Sequence, residues 1–419
     1  MRRHQFEAYL QKVFDFPTLV AQLSDRRRFP QHPCQKVFEA LFFGAVLHCP
    51  SVHQLERECH DGALGRRIGP ISEDTLRYAL QRLDLDAVFA LWCAVLKRLK
   101  RNGLLRARET RGLVVAAVDG TEVCRSQVRC CETCLVRTIS RVVGQVGHEV
   151  TEYYHRLVVV AVVSTPFPIP LGVRFLQPGE SEAAGALALL RDLTRCLGRR
   201  FLDVLVGDAL YCTAPFVAAV EALGLEWVFT VKDNQPELLD DIEARTRGLP
   251  TAQQLEPARQ WHLWYLPEVY WARADRTVRV VRTECKELIH RFTVPRHDRR
   301  RRTVKASHWE HSTNIYATNL ALLNIPPAFI ELLGKSRWRI DTEVFQTLTT
   351  TCHLKRPSVH ARHDQALVGL TMIRVLAYLL TLVFFHRQVL SHARRHLPSY
   401  RHLAHQLALH YAAAIHDSS

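Results

Sequence analysis

The sequence predicts an α/β fold, a mixed sheet covered by helices and preceded by a helical region. Three observations point there. Up to about residue 110, apolar residues recur at helical spacing. From Leu113 the period changes to short continuous apolar runs, which is how strands buried on both faces read. Those runs then alternate with helical segments in the order βββαβαβ, which favours a sheet with helices packed on it. At 419 residues and 47% hydrophobic content the chain can build a large core. A prior of roughly 150 residues per domain gives two or three domains.

The helical region runs from 1 to about 110. Lys36 to Leu47 is strongly apolar. Ser51 suits the cap of a helix through Cys59. Ser72 suits the cap of another, with Glu73 and Asp74 in its first turn, where acids favour the helix dipole. Leu76, Ala79, Leu80 and Leu83 give that helix one apolar face. Between them lies DGALGRRIGP, a turn-rich basic linker. The pair reads either as part of a bundle with solvated arginines or as a DNA-reading module. In the second case Arg66, Arg67, Arg77 and Arg82 would lie on phosphates or bases. Leu85 to Leu99 continues as helix, and Lys97 to Arg111 is a charged, Gly-broken boundary.

LVVAAVDG (113–120), RLVVVAVVS (156–164) and Ile169 to Leu176 are the first three expected strands. Glu182 to Leu197 is an expected helix with Leu187, Leu190 and Leu197 among its apolar positions. FLDVLVGDAL (201–210) follows as a buried strand, then a helix from Ala214 to Leu223 and a strand from Glu226 to Val231. Residues 236–312 break the pattern. They hold Trp261, Trp264, Trp271 and alternating segments such as TVRVVRT, and end in RHDRRRRTVK. This is expected to be a β-rich insertion with a basic edge. NIYATNL (314–320) returns to the sheet. The expected domains are therefore 1–110, a helical domain and candidate DNA-binding module; 111–235 with 313–385, the α/β core; 236–312, the β-rich insertion; and 386–419, a helical tail. Ala366 to Phe385 has the length of a membrane span. Arg374 at its middle favours a buried core helix, because a charge at a bilayer centre is expensive.

Lys and Arg total 56 against 41 Asp and Glu, a net charge of +15. Such a balance calls for a polyanionic partner, nucleic acid before an anionic membrane. The excess is mostly arginine, whose planar fork matches phosphate. Asp119 and Asp208 each close an apolar run, and acids at strand ends of an open sheet lie where sites form. Glu343 sits further on, in SRWRIDTEVFQTLTTTCHLKR (336–356), which is expected to be helical. Arg339 is four residues before Glu343 and shares its face, while Asp341 falls about 200° from Glu343 and faces elsewhere. Taken singly, each aspartate also reads as a turn residue and Glu343 as half of an ordinary ion pair. If the three converge they need cations, and Mg²⁺ suits an all-oxygen set that leaves room for phosphate. Two such ions can activate a water or a 3′-hydroxyl for displacement at phosphorus.

VDGT (118–121), GDALY (207–211) followed by WVFTVKDNQPEL, and RWRIDTEVF (337–345) occur in that order. In this the chain resembles the DDE transposases of bacterial insertion sequences, in the group with a β insertion before the glutamate and a Y-x2-R-x3-E-x6-K signature. The resemblance spans roughly residues 35 to 385 and implies a ribonuclease-H-like core. It makes Asp119, Asp208 and Glu343 a catalytic triad holding Mg²⁺ or Mn²⁺, and Arg339 a contact to DNA phosphate. Ser336 stands at the signature tyrosine and Thr350 at the signature lysine, so Trp338 and Lys355 are the candidate replacements. The partners implied are double-stranded DNA, both terminal inverted repeats and target, with a homodimer joining two ends and no membrane. A metal-dependent nuclease without strand transfer, or an idle DNA-binding descendant, are the alternatives.

Cys124, Cys130, Cys131 and Cys134 follow the first acid closely, among twelve cysteines in all. MRRHQFEAYLQKVFDF lacks the apolar core of a signal peptide, so a reducing cytoplasm is expected; the resemblance implies that of a bacterium, with the protein near the nucleoid. Cys131 and Cys134 have the spacing of a structural Zn²⁺ knuckle that His148 or His155 would complete; unpaired thiols are the other reading.

Overall fold

Local signals set the first helices. In the computed structural model, which describes residues 3–143, 146–293, 304–320, 325–356, 358–359, 362–390 and 400–413, the chain opens with α1 (Arg3–Phe14), α2 (Phe16–Ala21), α3 (Cys34–Val46), α4 (Val52–His60), α5 (Gly65–Ile68), α6 (Glu73–Arg82) and α7 (Leu85–Arg101). Ser51 Oγ accepts from Gln54 N–H at 3.1 Å, and Ser72 Oγ from Thr75 N–H at 3.2 Å. These caps satisfy donors that the first turn leaves unpaired.

The chain divides into two compact units. One comprises Met1–Gly112, Val118–Phe201 and Arg339–Ser419; the other Leu113–Ala117 and Leu202–Trp338. After α7 come β1 (Val115–Ser126), β2 (Leu135–Val143), β3 (Val146–Val162), β4 (Ile169–Phe175) and α8 (Glu182–Leu197). β1 runs through both units. In the first unit β2, β3 and β1 neighbour one another in that order, and β4 also pairs with β3. Two expectations need correction here. Asp119 does not end its strand, because β1 continues to Ser126. The segment from 135 to 155, where the sequence predicts no strand, forms the antiparallel β2–β3 hairpin. Its polar, half-exposed alternation lacks the continuous apolar run that marks the core strands. On α8 the buried face is Ala186, Leu189, Leu190 and Leu193; Leu187 and Leu197 are only half-buried.

The second unit contains β5 (Val204–Gly207), α9 (Ala214–Ala222), β6 (Glu226–Thr230), α10 (Pro236–Arg245), β7 (Ala252–Glu256), β8 (Arg259–Trp271), β9 (Arg276–Thr293), β10 (Val304–Thr318) and α11 (Pro327–Ser336). β1, β5 and β6 are parallel. The order then continues through β10, β9, β8 and β7, all antiparallel. Parallel β1, β5 and β6, with β3 and β4 following on from β1 and helices flanking the sheet, make a ribonuclease-H-like fold. β10 is at once the last strand of the insertion and the core strand that pairs with β6, so the expected boundary at 312 falls inside one strand. Most of the basic run, 296–303, lies outside the described residues.

Back in the first unit, a π-helical turn (Ile340–Phe345) leads into α12 (Gln346–Thr350), then α13 (Gln365–Phe384) and α14 (Tyr400–Ala413). The single helix expected from 336 to 356 is thus broken into pieces. α13 is long and apolar enough to cross a membrane, yet 89% of that stretch is buried within the protein. Arg374, 6% exposed, donates to Ser358 Oγ at 2.8 Å and to the His353 carbonyl at 3.3 Å. A buried cation held by neighbouring oxygens explains how the helix tolerates it. A helix apolar all round needs partners all round, and α13 packs against α3, α6, α7 and β4.

Candidate functional site

Asp119 follows the fully buried run Val115 to Val118 and is itself only half-buried. Its Oδ1 accepts the Gly120 N–H at 2.8 Å. A side chain at 120 would strike Glu182, whose carboxylate oxygen would stand 2.1 Å from the added Cβ. The glycine therefore lets a second acid lie across the strand next to Asp119. Glu182 is buried and paired with Arg156 at 2.6 Å. Sequence reasoning missed this neighbour, because an acid behind the Ser181 cap reads as a helix-dipole residue.

Glu343 lies in the π-helical turn, a feature that recurs at functional sites. Arg339 grips both of its carboxylate oxygens, Nε to Oε1 at 2.6 Å and Nη2 to Oε2 at 3.0 Å. The same guanidinium donates to the carbonyls of Val163, Thr165 (2.6 Å) and Pro166 (3.1 Å), in the loop between β3 and β4. An arginine has five N–H donors, and these five bonds use them all. The shared face expected of Arg339 and Glu343 is present, and the fork also ties the turn to that loop. Phe167 in the loop stacks on His386 at 4.1 Å, and burial holds His386 below the usual histidine range.

Asp208 lies in the second unit, directly after β5. Its Oδ1 accepts the Leu210 N–H at 2.9 Å and caps a short 3₁₀ turn. The stretch after β6 clamps this turn. Asn234 Nδ2 donates to the Ala209 carbonyl at 2.7 Å, and Gln235 Nε2 to the Cys212 carbonyl at 2.9 Å. Gln235 is 5% exposed and accepts in turn from Trp271 Nε1 at 2.9 Å. Asn234 and Gln235 thus have a local task, which is to shape the turn that carries Asp208. In the β1–β5 register Ala117 stands opposite Val206. Asp119 and Asp208 each come two residues later along their own chain segments.

The basic and aromatic candidates differ in what they already touch. Trp338 is 57% exposed, with the Arg337 guanidinium 4.8 Å from its ring centre. Ser336 donates to the Leu333 carbonyl and Thr350 to the Gln346 carbonyl, both within their own helices. Lys355 is exposed. Arg67 is turned inward, paired with Glu7 at 2.7 Å and Glu39 at 3.3 Å, and lies over the Phe43 ring. Arg77 pairs with Glu73 one turn earlier, and Arg82 lies near the Tyr78 ring. Arg66, on α5, is exposed, and Asp341 is half-buried in the π-helical turn.

Cys131, Cys134 and His155 come together, whereas His148 is exposed further along β3. His155 Nε2 lies 3.4 Å from each sulfur, and the sulfurs are 3.6 Å apart. Burial keeps the His155 pKa below the usual histidine range, so its imidazole is neutral near pH 7. Burial also pushes the Cys134 thiol up to about 11. Among the described residues this trio, and exposed His53 with half-buried Glu56 and Glu73, have their ligand atoms within 4.8 Å of one another; the acids 119, 208 and 343 do not form such a group. Their chemistry nonetheless fits Mg²⁺ or Mn²⁺, since all are carboxylates and none is fully buried.

The family model described as "Transposase DDE domain" matches residues 111–380. None of the curated proteins compared matches the chain. Among solved structures, the piggyBac transposase synaptic complex with hairpin DNA is similar at 10% identity with a TM-score of 0.43. That alignment covers 98% of this chain and 79% of the other.

Proposed function

This chain belongs to the transposase DDE domain family, and we propose that it cuts DNA at the ends of a mobile element and joins the freed 3′ ends to target DNA. The observation that carries this reading is the span of the family match, 111–380, which takes in Asp119, Asp208 and Glu343. In this reading the three carboxylates hold Mg²⁺ or Mn²⁺. Bound there, the ions supply charge neutralisation at the scissile phosphate and acidify the attacking hydroxyl.

The chain's own residues do the positioning. Arg339 fixes the direction of the Glu343 carboxylate through the two-pronged bond. Asn234 and Gln235 fix the turn that presents Asp208. No covalent nucleophile is needed, because phosphoryl transfer is mostly positioning and electrostatics. The net charge of +15 holds the duplex, with exposed Trp338 and Lys355 beside the third acid in sequence. In this proposal a homodimer brings two inverted-repeat ends together, in the cytoplasm of a bacterium.

The test is cleavage of the element's own ends by purified protein in Mg²⁺. Asp119→Ala, Asp208→Ala and Glu343→Ala are each expected to abolish cutting and to leave DNA binding within a few-fold of the parent. Full cutting by any one of them refutes its role. Cutting by the parent without any joining to target DNA would make the protein a nuclease instead.

A further inference from the structure

We propose that Cys131, Cys134 and His155 form a structural zinc site that fastens the loop between β1 and β2 to the segment leading into α13. This site is separate from the three acids and needs no DNA.

The spacing of the ligand atoms is the main ground. Zinc bound tetrahedrally at about 2.3 Å from sulfur and about 2.0 Å from nitrogen sets two sulfurs roughly 3.8 Å apart and sulfur to nitrogen roughly 3.5 Å apart. The observed edges are 3.6, 3.4 and 3.4 Å. A disulfide would bring the sulfurs to about 2.05 Å, and both thiols are free. The chemistry agrees, since two thiols and an imidazole are soft and borderline donors that select zinc over Mg²⁺.

A second, independent observation concerns His155. It is 4% exposed on β3, with Nε2 aimed between the two sulfurs. Its Nδ1 is buried without a hydrogen-bond partner. A buried imidazole whose Nε2 meets two sulfurs at 3.4 Å is placed as a metal ligand would be. The Cys131 N–H also donates to Cys134 Sγ at 3.2 Å, a bond that favours the thiolate a metal requires.

The fourth position faces a small cavity lined by Cys130, His363 and Asp364. The loop is already tied to that side. Glu132 N–H donates to the Arg362 carbonyl at 3.0 Å, and the Glu132 carboxylate meets both Arg362 and His363. A zinc ion with Cys130, His363, Asp364 or water as fourth ligand would turn these surface contacts into a rigid joint. The joint lies on the strand that carries Asp119, seven residues past it along β1 to Ser126 and then through the loop.

The experiment measures metal, not activity. The full chain is purified under reducing conditions from zinc-replete cells, dialysed, and analysed by mass spectrometry of metals. About one zinc per chain is expected, with Cys131→Ser, Cys134→Ser and His155→Gln losing it. Cys196→Ser, a thiol on α8, is expected to keep it. Should a variant fail to fold, Co²⁺ exchange into the parent provides the second readout. A sulfur-to-cobalt charge-transfer band with tetrahedral intensity supports the site. Metal-free, folded parent protein, or cobalt without sulfur ligation, overturns it. Because neither readout involves DNA, a failed transposase reading leaves this result intact, and the reverse holds too.

Discussion

Arg339 illustrates what a single residue does here. Its five hydrogen bonds join an acid, a π-helical turn and three loop carbonyls. Arg339→Ala strips those acceptors of a charged donor, each such bond contributing about 1.5–3 kcal/mol. Partial exposure of the pair and water access to the loop lower the sum, so a loss of about 2–3 kcal/mol is expected in chemical denaturation. Arg339→Lys keeps the charge but cannot make the two-pronged bond. It is expected to recover most of the stability and little of the cleavage. Equal cleavage by the lysine variant would show that charge, and not the fork, is what matters. From sequence, the i to i+4 spacing predicted the contact with Glu343. The three carbonyls could not be read, because they belong to a loop more than 170 positions away. Glu182 was hidden for a different reason: nothing in its neighbourhood signals that Gly120 leaves room for it.

At the scale of elements, the turn that presents Asp208 depends on the segment after β6. Gln235 is buried and bridges the Cys212 carbonyl to the Trp271 indole. Gln235→Ala leaves the Trp271 indole N–H unpaired, at about 1–3 kcal/mol, and leaves the Cys212 carbonyl only the longer bond from Asn234 at 3.4 Å. A drop of several degrees in Tm is expected, together with weakened cleavage at unchanged DNA affinity. Gln235→Glu keeps the acceptor for Trp271 but sets a buried carboxylate against the Cys212 carbonyl, so it should cost at least as much as the alanine variant. The core strands were plain in the sequence because burial on both faces writes an unbroken apolar run. The β2–β3 hairpin was not, since its residues are polar and half-exposed. The π-helical turn was also unreadable, because one residue of slippage within a helix leaves the apolar spacing almost unchanged.

At the scale of the whole molecule, burial sets the response to acid. His155, His353 and His386 all have pKa values held below the usual range by burial. Unfolded, each returns to about 6.5. The unfolded chain therefore takes up protons first as pH falls. Their contribution is complete above about pH 6.5 and is lost as the pH drops through the lower folded values. Melting followed from about pH 7.5 to about pH 5.5 should show Tm falling steadily. A Tm that holds level or rises over that window would mean these histidines are not buried neutral. The overall charge and the order of the three acid motifs could be read without coordinates, and so could the α/β class. The division into units could not, because β1 runs through both.

The claim on which the functional reading turns is that Asp119, Asp208 and Glu343 bind the same divalent centre. Exchange of each acid for cysteine, with cleavage measured in Mg²⁺ and then in Mn²⁺, addresses it directly, because a thiolate accepts the softer ion far better than Mg²⁺. Each of Asp119→Cys, Asp208→Cys and Glu343→Cys is expected to be silent in Mg²⁺ and to regain cleavage in Mn²⁺. Undiminished cleavage in Mg²⁺ by any of the three would contradict it.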